Sequence, residues 1–231
     1  MKFTEGRLRR ALRGWCMGLL AILSFLPEAQ AGDANSARPV RLVAYGDSLT
    51  AGFGLAASAA FPAQLQVALQ AKGYKVDVVN AGVSGDTSAG GLQRLDWTMQ
   101  PDVDGVILEL GANDALRGID PKLARDNLDK IINVVRGRDA DILLAGMRAP
   151  ANWGSQYQTD FDAIFPELAK KYNIALYPFF LDGVLGVKGM VLDDGLHPTP
   201  QGVAEIVKRI LPDVEALLRK ITARLVANAT K

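Results

Sequence analysis

The chain has 231 residues, 49% of them apolar, and a formal net charge of +1. That length fills one sizeable hydrophobic core and leaves little for a second, while the balanced charge excludes the basic signature of nucleic-acid or anionic-membrane binding. The single cysteine, Cys16, and single histidine, His197, exclude a disulfide framework and a zinc-thiolate centre.

The first 31 residues read as a secretory leader. Arg7, Arg9, Arg10 and Arg13 precede an apolar run over 15–26, and Ala29-Gln30-Ala31 has the small-x-small form of a cleavage site. The run is shorter than the ~20 apolar residues of a membrane-spanning helix. Cleavage after Ala31 predicts a periplasmic or secreted protein that has lost its only cysteine, with no stable membrane anchor. Residues 32–39 are small and polar and read as a flexible leader into one domain over 40–231.

From residue 41 onward, β-type and helical patterns alternate. Strands are predicted over 41–45, 75–79, 106–110, 142–145 and 174–177. Helices are predicted over 61–72, 121–135, 157–171 and 200–226, the second with Pro121 in its first turn and Gly137 just past its end. Near-continuous apolar strands separated by helices imply a parallel sheet covered on both faces. The predicted fold is therefore α/β: a three-layer α/β/α sandwich, flavodoxin-like, with about five parallel strands.

In such sheets ligands bind beyond the carboxyl ends of the strands, and the polar clusters fall there. Gly46-Asp47-Ser48-Leu49 follows the first strand, residues 80–87 the second, and Gly111-Ala112-Asn113-Asp114 the third. Asp193-Asp194-Gly195-Leu196-His197 precedes the last helix.

A serine hydroxyl becomes a useful nucleophile only when a base takes its proton, and histidine is the usual base. His197 is the only histidine available, and a carboxylate three residues earlier can fold back onto its ring. Spacing alone leaves Asp193 and Asp194 both open. Ser48 ends a strand after a glycine, though a helix cap is an equally ordinary role for it. Ser84 is a rival nucleophile but misses the G-x-S-x-G form, because Asp86 stands where the last glycine belongs. Gly85 suits a backbone N–H donor, since glycine lets an amide approach a ligand closely, and Asn113 offers a side-chain donor. Gly52-Phe53-Gly54-Leu55-Ala56-Ala57 fits G-x-G-x-x-A, but it starts six residues past the strand end and is no dinucleotide site.

Taken together and in order, Gly46-Asp47-Ser48-Leu49, Ser84-Gly85-Asp86-Thr87, Gly111-Ala112-Asn113-Asp114 and Asp194-Gly195-Leu196-His197-Pro198 resemble the four blocks of the GDSL, or SGNH, hydrolases. Asn113 to Gly118 and Arg148-Ala149-Pro150-Ala151-Asn152-Trp153-Gly154 are similar to the periplasmic acyl-CoA thioesterase I / lysophospholipase L1 and arylesterase group. The resemblance implies a carboxylic ester or thioester hydrolase with Ser48, Asp194 and His197 as catalytic triad. It also implies that the Ser48 amide, the Gly85 amide and the Asn113 side chain form the oxyanion hole. Leu116, Ala149 and Pro150 are expected at the substrate site, Ala149 being smaller than the apolar residue many members carry. No metal or cofactor and no obligate protein partner is implied; the expected partner is a small-molecule acyl ester or thioester. A glycan O-acetylesterase and a non-catalytic periplasmic binding module are the alternatives.

Overall fold

A computed structural model describes residues 38–230; the expected secretory leader, 1–31, and residues 32–37 after it lie outside the described residues. Arg38, at the start, makes two hydrogen bonds to the Asp104 carboxylate, at 2.6 and 2.8 Å.

Five strands, β1 (Val40–Gly46), β2 (Val76–Gly82), β3 (Gly105–Glu109), β4 (Asp141–Ala145) and β5 (Ala175–Tyr177), form one parallel sheet in the order β2-β1-β3-β4-β5. This is the strand order of the flavodoxin-like fold, the fold predicted above, with the order reversing at β1. The register aligns Gly46 with Gly82 and with Glu109, and Glu109 with Ala145. The polar loops that follow therefore leave the sheet at one edge. Every residue of β3 is buried, as expected for a central strand covered on both faces.

Eight helices flank the sheet among the described residues: α1 (Ser48–Ala51), α2 (Phe61–Ala71), α3 (Ser88–Thr98), α4 (Ala112–Leu116), α5 (Pro121–Gly137), α6 (Ser155–Asp162), α7 (Ile164–Tyr172) and α8 (Pro200–Ala229). Helix α2 packs on α8, and α3 on α5. Helix α5 shows why these segments are helical. It buries Ala124, Leu128, Ile131, Ile132 and Val135, a 3.6-residue stripe, and Asp120 caps it by accepting the Lys122 N–H at 2.9 Å. Each buried leucine or isoleucine of that stripe contributes about 1.5–3 kcal/mol.

Three departures from the sequence reading have identifiable causes. The helix expected over 157–171 is two helices meeting at Ala163. Pro166 explains the break: it lacks the N–H that would bond back to residue 162, and proline is tolerated only within a helix's first turn. Gly137 is the last residue of α5 rather than the one past it. Helix α3 was not anticipated because Gly90 and Gly91 depress helix propensity. Tertiary packing decides there: a Cβ on Gly91 would lie 2.3 Å from Leu110 Cδ1, so glycine lets α3 lie this close to the strand-end residues with Leu110 in place. Thr87 caps α3, accepting the Gly90 N–H at 3.2 Å.

Candidate active site

At the end of β1 the chain turns sharply into α1. Asp47, not Ser48, caps this helix: its Oδ1 accepts the Leu49 N–H at 3.0 Å. The Ser48 hydroxyl is thus free for other work. Gly46 is required by crowding, since a Cβ there would sit 2.1 Å from Thr50 Oγ1 and 2.4 Å from Glu109 Oε2. Beneath the turn, Glu109 Oε2 accepts the Thr50 hydroxyl at 2.7 Å and the Asp47 N–H at 3.3 Å.

The loop before α8 is closed by a bridge between Val191 and Pro198 and by the Leu192 N–H donating to the His197 carbonyl at 2.7 Å. Gly195 takes a left-handed φ of 73° in its turn. This fold brings Asp194 back on His197. Asp194 Oδ1 accepts the N–H groups of Leu196 and His197 at 2.9 and 3.0 Å, and Oδ2 faces His197 Nδ1 at 2.7 Å. The two amides, His197 first, together with the imidazole hold the Asp194 carboxyl down at about 2, so it stays ionised across the working range. A carboxylate can only accept, so Nδ1 carries the hydrogen and Nε2 is left as an acceptor. Ser48 Oγ lies 2.8 Å from that Nε2. Asp193 is exposed on the same loop, and the ring bonds to Asp194.

Gly85 has a φ of 84°, a conformation suited to glycine, and its carbonyl accepts Arg117 Nη2 at 2.9 Å. Asn113, in α4, donates from Nδ2 to Asp47 Oδ2 at 3.1 Å and to the Asp86 carbonyl at 2.9 Å. Both amide hydrogens are engaged, so an oxyanion would share one of them. Asp114, next in the chain, has a separate task. Its buried carboxylate accepts the Ser88 N–H at 2.7 Å and the Ser88 hydroxyl at 2.6 Å, tying the second loop to the third. Burial still raises its pKa, as the largest influence upon it.

Ser48, Ser84, Gly85, Asn113 and His197 line one cleft of about 550 Å³. Leu116, Ala149 and Pro150 line it too; the Ala149 N–H is anchored on Asp162 at 2.8 Å. The remaining wall is mostly apolar and includes Met147, Phe179, Leu181 and Leu185. Ser84 reaches this cleft, but the hydroxyl on His197 belongs to Ser48. Phe53, which sequence reasoning passed over, lies with its ring 4.5 Å from the His197 ring, tilted by 37°. Its signal was the Gly52-Phe53-Gly54 triplet: both glycines are left-handed, at 83° and 75°, and turn the phenyl back over the imidazole. Among the described residues, no group of three His, Cys, Asp or Glu side chains is arranged to hold a metal ion.

A serine, histidine and aspartate joined by hydrogen bonds at the carboxyl edge of a flavodoxin-like sheet form the arrangement that α/β serine hydrolases use. The profile of the GDSL-like lipase/acylhydrolase family matches residues 44–204, and the chain belongs to that family. It is 38% identical over 197 residues to an arylesterase of Vibrio mimicus, covering 84% of this chain and 96% of that one. It is 44% identical over 158 residues to the thioesterase 1/protease 1/lysophospholipase L1 of Escherichia coli strain K12, covering 68% and 74%. The crystal structure of TesA superposes with a TM-score of 0.73 at 39% identity, over 77% of this chain and 99% of that one. The protein is accordingly a carboxylic ester hydrolase acting on small-molecule acyl esters or thioesters.

Proposed function

We propose that Ser48 is the nucleophile, His197 the general base and acid, and Asp194 the carboxylate that orients the imidazole. The observation that carries this reading is the unbroken chain from Ser48 Oγ through His197 to Asp194, at 2.8 and 2.7 Å, at the wall of an apolar cleft.

In the first step Ser48 Oγ attacks the substrate carbonyl carbon while its proton passes to His197 Nε2. Asp194 stays ionised and stabilises the imidazolium. The carbonyl oxygen becomes an oxyanion, held by the amides of Ser48 and Gly85 and by Asn113 Nδ2. Collapse breaks the bond to the alcohol or thiol, which leaves with the His197 proton and leaves an acyl-Ser48. Water then attacks the acyl carbon, His197 takes its proton, and the second collapse releases the carboxylic acid and restores Ser48.

The cleft favours an acyl chain over a sugar. Leu116, Ala149, Pro150, Met147 and Phe179 offer apolar contacts where a glycan O-acetylesterase needs hydrogen-bonding partners for hydroxyls. Export is part of the same proposal: the basic segment, the apolar run and Ala29-Gln30-Ala31 act as a leader cleaved after Ala31, and residues 40–231 act as one hydrolase domain. No helix among the described residues is long and apolar enough to cross a membrane. N-terminal sequencing of the exported protein should begin at Gly32; retention of Met1 refutes cleavage.

A fluorophosphonate needs both an activated hydroxyl and an oxyanion hole, so it reports the whole constellation. One adduct is expected, at Ser48 by peptide mass spectrometry, and Ser48→Ala should abolish it. An adduct at Ser84 overturns the nucleophile assignment.

A further inference from the structure

Directly under the nucleophile turn lies an acid for which the hydrolytic cycle has no use. Glu109, the last residue of β3, is fully buried between β1 and β4. Among the described residues, no lysine, arginine or histidine bonds to it. Its Oε2 accepts two donors, the Thr50 hydroxyl and the Asp47 N–H, whereas its Oε1 has no hydrogen-bond partner. The nearest charged group is another buried acid, Asp47, and there the pattern reverses. Both Asp47 oxygens are met by N–H donors, Oδ1 by Leu49 at 3.0 Å and Oδ2 by Asn113 at 3.1 Å.

Two carboxylates cannot both stay ionised so close together in the core. The one whose oxygens are both met by N–H donors keeps the charge. The one with a bare oxygen takes up the proton, since a neutral carboxyl with one unmatched oxygen costs less than a desolvated anion beside a second charge. The other titratable groups around the pair fit this division. Asp86 and the His197 ring lie on the Asp47 side, and Arg94 is engaged by Asp86 at 2.6 Å and the Gly46 carbonyl at 2.9 Å, leaving Glu109 without a cation.

We propose that Glu109 is a positioning residue of the reaction: as an uncharged carboxyl group it clamps the 46–50 turn that presents Ser48, and it leaves Asp47 as the charged acid that aims Asn113. The inference rests on Ser48 being the nucleophile. Its first support is geometric, since the same Glu109 oxygen holds the residue before Ser48 and the residue two after it. Gly46 is the second, because any side chain there would occupy the position of that oxygen, 2.4 Å from a Cβ. Burial, reinforced by the Asp47 charge, pushes the Glu109 carboxyl well above the usual range, and burial raises Asp47 to about 6.

The test compares Glu109→Gln with Glu109→Leu in the full-length protein, reading the rate at which a fluorophosphonate labels Ser48. Glutamine keeps an acceptor oxygen for Thr50 and Asp47 and carries no charge; leucine removes the acceptor. Glu109→Leu should slow labelling at least a hundredfold, and Glu109→Gln should retain at least a tenth of the wild-type rate. Equal losses in both variants overturn the uncharged reading, and wild-type labelling in Glu109→Leu overturns the clamp. An adduct at another serine refutes the nucleophile assignment instead, a failure told apart by where the adduct lies.

Stability against pH keeps the proposal testable if the leucine variant does not fold. Glu109 retains in the folded state a proton that the unfolded chain loses near 4.3, so its contribution to wild-type stability falls as pH rises above about 4.3 toward the raised folded-state value. Glutamine has no such proton. The folding equilibrium of Glu109→Gln should therefore gain on wild type with rising pH, by up to about tenfold per pH unit. Parallel stability curves overturn the proposal. The infrared stretch of a protonated buried carboxyl, present at neutral pH in wild type and missing from Glu109→Gln, gives the direct signature; its absence from wild type overturns it equally.

Discussion

The two edges of the sheet handle buried acids in opposite ways. At the amino-terminal edge, Asp104 receives two bonds from Arg38 and the Arg41 N–H, while Asp141 is paired with Lys220 and Arg224, both at 2.9 Å. Arg224 also donates to the Asp104 carbonyl at 2.8 Å, joining the two sites. At the carboxyl edge, Asp47, Glu109 and Asp114 are buried as fully as Asp104, more so than Asp141, and among the described residues no cation bonds to any of them. Their donors are backbone amides, hydroxyls and the Asn113 amide. The first arrangement neutralises charge and ties chain ends together. The second uses acids to hold neutral groups in place around Ser48 and Asn113, because a lysine or arginine there would compete for the same acceptors. An acid buried without a cation is thus the better marker of the working edge in this fold.

The comparison can be broken at either edge. The largest effect is expected at the base. His197→Ala should lower kcat by about 10⁴-fold or more while the thermal midpoint changes little, because the ring is partly exposed and its loss opens no core cavity. Near-wild-type turnover in that variant would remove the mechanism, since no second histidine exists to substitute.

Asn113→Ala comes next. Loss of one oxyanion donor should reduce kcat by about 10²–10³-fold with KM nearly unchanged. It also strips Asp47 of one of its two donors, so the variant should lose stability as well. A pure KM effect would show that Asn113 binds substrate rather than the transition state.

A smaller effect is expected from the cleft wall. Ala149→Leu fills space at a nearly closed position and should lower kcat/KM for long-chain p-nitrophenyl esters about tenfold, with acetyl esters almost unaffected. Equal losses on both would place the acyl chain elsewhere in the cleft.

The smallest catalytic effect belongs to the opposite edge. Asp104→Asn should change kcat less than twofold yet cost about 1–3 kcal/mol of stability, read from urea midpoints, because it weakens the bonds from Arg38 and the Arg41 amide. A catalytic defect there would mean that the two edges are coupled, and the distinction drawn above would fail.

Much of this was legible in one dimension. Short apolar runs separated by longer helical patterns give the five-stranded parallel sheet, because covered strands must be apolar and crossovers must be helical. The sheet's rule that ligands gather at carboxyl ends then directs attention to Ser48, Gly85, Asn113 and His197 before any coordinates. The choice between Asp193 and Asp194 was not legible from spacing, since either lies within a loop's reach of His197. It depends on the Gly195 turn, which lets Asp194 accept both the Leu196 and His197 amides while facing the ring.

The sequence by itself determined the five strands, the longer helices between them and the residue types gathered at the carboxyl edge, since hydrophobic periodicity and turn chemistry are local properties of the chain. Only the tertiary structure decided the rest. It placed α3 over a pair of glycines, broke the 155–172 segment at Ala163, folded Phe53 over His197 and set Glu109 under the turn that carries Ser48. The physical reason is common to all four. Each depends on contacts between residues distant in sequence, where a missing Cβ, a ring face or an unmatched oxygen acquires meaning only from what packs against it.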